Sequence, residues 1–198
     1  MLKLIVVYIH LLTTCIALAA VLKADRRLWH WREKALDGPR LAYIRTTQGT
    51  ASFTLGILWI TGAALIALGC IQDGMHYLDN PKLWMKVTVV IALTANGWLL
   101  HSVAFPHLQR RIAFVDLPLP DRAKLAVMGG VSATCWLFAA FLGIARSWNQ
   151  VLPYSQILLI FASLLSLATC GALLVAVVIG RKANVEWLSQ GETASGGI

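Results

Sequence analysis

Five stretches of the chain, about 4–22, 50–71, 84–105, 124–145 and 154–180, are continuous runs of largely apolar residues. An α-helix needs roughly 20 such residues to cross the hydrocarbon of a bilayer, so each run is long enough. None alternates apolar with polar residues, as the strands of a transmembrane barrel do. Together they occupy most of the 198 residues and leave no room for a separate soluble domain. The expected fold is all-α, a polytopic membrane bundle of five transmembrane helices forming one domain over 1–188. The polar, glycine-rich stretch 189–198 is expected to be a disordered tail. Charged residues make up only 13% of the chain and mean hydropathy is +0.70, whereas soluble domains carry about 25% charge.

The net charge of +8 is unevenly placed. Lys23, Arg26, Arg27, Arg32, Lys34, Arg40 and Arg45 lie between the first two runs. Arg110, Arg111, Arg122 and Lys124 lie between the third and fourth, and Arg181 and Lys182 follow the fifth. On one side of a bilayer these make 13 of the 17 Lys and Arg residues, leaving Lys3, Lys82, Lys86 and Arg146 on the other. Positive charge is retained in the cytoplasm, so the N-terminus is expected outside and the C-terminus inside, in a bacterial-type inner (plasma) membrane. Basic charge set beside spans serves orientation, which argues against nucleic acid as a partner. The expected partners are the lipid bilayer and either a second copy or another membrane subunit. Residues 1–22 resemble a signal peptide, but His10 interrupts the run and the following flank is the more basic one, which predicts an uncleaved first span.

Local signals fill in the connections. The segment ADRRLWHWREKAL predicts a continuation of the first helix, with Trp29 and Trp31 at headgroup level and Gly38-Pro39 as its stop. Asp79-Asn80-Pro81 predicts a helix start, and Asp121 is a candidate cap for the fourth helix. Small residues four apart let helices pack closely in lipid. Ser52/Gly56 and Ala63/Ala67 in the second run are therefore expected contact pairs. So are Gly129, Gly130, Ser132 and Thr134 in the fourth run, and the Ala162, Ser166, Cys170 stripe in the fifth. Cys15, Cys70, Cys135 and Cys170 sit in four different runs with no CxxC, so no thiol redox or zinc motif is indicated.

The third run is unusual in its polar content: Lys86 near its start, Asn96 within it, His101 near its end, then Pro106 and His107. Polar side chains in hydrocarbon are costly and usually face a bundle interior. Histidine ligates haem iron, copper and zinc, so His10 and His101, supported by Lys86 and Asn96, are candidate cofactor-binding residues. With a rise of about 1.5 Å per residue, His10 lies roughly 9 Å, and His101 roughly 25 Å, below the outer ends of their helices. That separation argues against one bis-histidine haem and leaves two split sites open. An outer metal site would combine His10 with His76, Met75 or Asp73, a donor set that suits copper. An inner site would combine His101 with His107 or His30. The alternative is that these side chains serve packing: His10 bonded to a nearby Thr or carbonyl, Asn96 as a cross-helix bond, Lys86 snorkelling. No Asp or Glu occurs within a run, which argues against carboxylate-based proton-driven transport.

The order Lys86, Asn96, His101, Pro106, Leu108 resembles the Lys…Asn…Pro-x-Leu helix of the copper-resistance D-type membrane domain. His10 in an apolar first helix resembles the opening of that group and of HemJ-type protoporphyrinogen oxidases. The second run has no histidine, where the HemJ-type pattern has one. The resemblance implies a small helical membrane protein holding copper near His10 and the outer loop, or a b-type haem through its membrane histidines. The competing expectations are a cofactor-free accessory membrane subunit and a small-solute or lipid transporter.

Overall fold

The structure, a computed structural model, describes the backbone of residues 1–104, 106 and 112–195, with side chains up to residue 180. His107 and the basic pair at 110–111 lie outside the described residues, as do 196–198. Five helices are long and apolar enough to cross a membrane. They are α1 (Leu2–His30), α2 (Gly38–Asp73), α3 (Pro81–Leu99), α4 (Leu119–Ile144) and α5 (Tyr154–Ser195). Among the described residues there is no strand. α5 continues through the first residues of the stretch expected to be a tail; no glycine or proline interrupts it between Arg181 and Gln190.

Helix starts follow capping chemistry. Asn80 accepts a hydrogen bond from the Lys82 amide at 3.1 Å, with Pro81 in the first turn, where its missing N–H costs nothing. Gly38-Pro39 does not stop α1, which ends at His30; it opens α2, capped by Asp37 accepting from the Arg40 amide at 3.1 Å. Nor does Asp121 cap α4. That helix begins two residues earlier, after Pro118, and Asp121 sits in its first turn 3.6 Å from Lys124. α3 passes directly into a π-helical turn, Leu100–Ala104.

α1 packs along α2 and α4 along α5; α3 lies against α4 and α5, and contacts of α1 with α4 join the first hairpin to the rest. The buried stripe of α3 is Lys82, Met85, Val89, Leu93 and Asn96, spaced by threes and fours as an inward helical face requires. Met85, Val89, Cys135, Leu142 and Ile157 are fully buried, and Phe138 stacks on Phe161 with centroids 5.0 Å apart. Outward residues are no less apolar: Phe53 and Ile60 are 70% and 72% exposed. Such a surface suits contact with a bilayer.

The expected small-residue contacts are only partly the observed ones. Gly130 does give α4 a close approach to α5, since a Cβ there would meet the Ala168 carbonyl oxygen at 3.4 Å. By contrast Ala162, Ser166 and Cys170 face outward, and α5 packs through Ile157, Phe161, Ala168 and Ala176 instead. Gly56, Ala63 and Ala67 also face outward, while α2 buries Thr54, Leu58, Thr61 and Gly69. A spacing of four recurs on every face of a helix; only the surrounding large side chains select the inward one.

Candidate functional site

Each histidine within the described residues has a local partner. The Thr61 hydroxyl donates its single hydrogen to the Ile57 carbonyl at 2.7 Å, so towards His10 Nδ1, also at 2.7 Å, it is the acceptor. With the hydroxyl hydrogen on that carbonyl, the matching His10 tautomer carries its proton on Nδ1 and its lone pair on Nε2. At the other end of α2, the Gln48 amide lies 2.7 Å from His101 Nδ1, on the π-helical turn. Thr61 and Gln48 are 13 residues apart in α2, a separation of about 20 Å along the helix. The two histidines therefore belong to different levels of the bundle.

The remaining candidates are scattered. His76 is bonded to Asp79 at 3.2 Å, with 94% of its side chain exposed, and Met75 is 73% exposed. Lys3 marks the level of this end, reaching Gln72 at 2.7 Å and lying 6.0 Å over the Tyr77 ring. His10 is seven residues further into α1, about 10 Å deeper. No group of three or more His, Cys, Asp or Glu side chains able to hold a metal forms among the described residues. Asn96 donates to the Met128 carbonyl of α4 at 3.1 Å, a cross-helix bond. Lys86 is exposed near the start of α3. Sequence inspection missed its neighbour Lys82, which is buried and donates to the Ala145 carbonyl at the C-terminus of α4. A cation suits that place, where carbonyls lack helical partners.

What the structure does assemble is a cavity of about 560 Å³ at the basic end of the bundle. α2 and α3 approach each other little along their length, and the space between them is also lined by α1, α4, α5 and the 112–117 connection. Leu55, Leu93 and Trp136 form its apolar floor. Its polar groups are Asp25, Arg32, Thr47, Gln48, Ser52 and Ser132. Small residues on three helices, Gly97, Gly129 and Gly171 among them, leave the space open: a Cβ at any of these three would touch nothing within 4 Å. Residues expected to pack helices together, Ser52, Gly129 and Ser132, thus line a void. None of the described lining residues is a histidine.

The α1 wall of the cavity has a readable period. Val21, Asp25 and Leu28 recur by fours and threes along one face of α1, a pattern that places them in one line, and Arg32 follows in the turn after the helix. Around them the basic end is laced by cation–π contacts: Arg32 lies 4.9 Å over Trp29 and Arg27 lies 4.2 Å over Tyr43. Trp29 is one of the two tryptophans expected at headgroup level.

Comparison with known protein families, with characterised proteins and with solved structures finds no match for this chain. The fold and the cavity define it only as an all-helical protein with five helices of membrane-spanning character.

Proposed function

We propose that the protein is a multi-pass membrane protein, N-terminus outside and C-terminus in the cytoplasm, that holds a membrane-soluble amphiphile in its inner-half cavity. The observation carrying this reading is the 560 Å³ space itself, apolar at the floor and polar towards the basic end. Ligand sites are typically concave spaces of about 300–1,000 Å³, largely apolar, with a few placed polar groups. The segregation of 13 of 17 Lys and Arg residues to one end supports the orientation. Among the roles that the sequence leaves open, lipid or small-solute handling is the one this cavity favours. Protein extracted in mild detergent should carry an amphiphile through purification, detectable by native mass spectrometry and solvent extraction. Recovery of nothing but bulk lipid and detergent would overturn the reading.

A second reading rests on His10. A metal-ligating histidine typically donates its other ring N–H to a polar partner, and the Thr61 bond provides that, leaving Nε2 as the ligating atom. A b-type haem or copper held there would give an absorption band or a bound metal. His10→Ala should then abolish it while the protein still inserts, checked by oxidised and dithionite-reduced spectra with metal analysis. An unchanged spectrum in the variant removes His10 from the site.

A further inference from the structure

The charge balance inside the cavity specifies the kind of amphiphile. Among its described lining residues only Asp25 and Arg32 carry charge. Arg32 is already satisfied: it forms an ion pair with Glu33 at 2.7 Å, donates to the Trp29 carbonyl at 3.1 Å and lies over the Trp29 ring. Asp25 has no hydrogen bond and no ion pair within the described residues, although it is partly buried on the cavity-facing line of α1. An ionised carboxylate away from water is costly unless a cation or donor meets it. The other basic residues near it in sequence, Lys23, Arg26 and Arg27, are exposed on other faces of α1, where salt screens them over about 8 Å. Resting on the amphiphile reading above, we infer that Asp25 is the docking point for the ligand's head and that the ligand class is a lipophilic cation. Its protonated amine or quaternary nitrogen sits against the carboxylate, and its apolar body lies towards Leu55, Leu93 and Trp136.

This class runs against the bulk field of the molecule. The excess of Lys and Arg at this end, 13 against seven Asp and Glu, draws anions, so a preference for cations has to come from inside the cavity. Tetraphenylphosphonium and tetraphenylborate are close in size and shape and opposite in charge, which isolates that contribution. Calorimetric titration of the full-length protein in a non-ionic detergent should show the phosphonium binding at least about tenfold tighter than the borate. Asp25→Asn should lose that preference, and Asp25→Glu should keep it. Equal or stronger borate binding, or a phosphonium affinity unchanged in Asp25→Asn, overturns the inference. The cavity reading is separable: Gly97→Leu, which intrudes on the same space without touching Asp25, should weaken both probes. Probe binding that Gly97→Leu weakens but Asp25→Asn does not leaves the cavity in place without a cation site. Failure of both probes to bind at all removes both.

Discussion

Gly97→Leu protein should fold, unfold at a temperature no lower than the parent, and lose affinity for the cavity's ligand by at least about tenfold. Its stability should hold because a Cβ at position 97 meets no atom within 4 Å and the new side chain extends into the cavity, not into a neighbour. Replacing glycine inside a helix also removes a conformational penalty of roughly 1 kcal/mol. Binding should fall because the same side chain takes the space that the ligand needs. Gly56→Leu is the matched control: that position is equally unobstructed but faces outward and does not line the cavity. Parallel thermal unfolding and ligand titration of the two variants check this. Equal binding by both would show that the cavity is not where the ligand sits.

The largest loss of stability should come from Phe138→Ala. Phe138 is 4% exposed, stacked on Phe161 at 5.0 Å and 6.1 Å from Phe141, so it ties α4 to α5 at the centre of the buried cluster. Removing a buried aromatic ring costs about 3–5 kcal/mol, because the contacts are lost and the space left collapses only in part. Phe53→Ala, at a site 70% exposed on α2, should change stability by less than about 0.5 kcal/mol. Denaturant titration of both variants in the same detergent measures the difference, and similar midpoints would mean that the α4–α5 seam is not where this bundle draws its stability.

Five helices of membrane-spanning length are legible in the residues because length and composition alone decide their existence. The start of α3 at Asn80-Pro81 was equally plain, since its cap chemistry is local. The inward faces of α2 and α5 were not. Ala63/Ala67 and Ala162/Ser166 have the spacing of contact pairs, but their orientation depends on where Leu58 and Phe161 find partners on other helices. The cavity was invisible for a stronger reason: it exists because α2 and α3 stand apart, a property of the assembled bundle and not of any segment. Asp25 lay hidden among the charges of a loop. Its spacing from Val21 and Leu28 was the available signal, and it places a carboxylate on an otherwise apolar line of α1. The histidines drew attention by their chemistry, while the structure gives His10 and His101 a partner each on α2 and no shared site.

The turn Leu100–Ala104 has one further consequence. A π turn accommodates an extra residue within a helix that otherwise repeats every 3.6, so it behaves as a one-residue insertion frozen into α3. Related chains that lack it should be one residue shorter there. In them the position corresponding to His101 would swing away from that of Gln48, and the residues framing this edge of the cavity would change. A single-residue gap at this point of an alignment would therefore divide such chains into those that keep the Gln48–His101 link and those that do not.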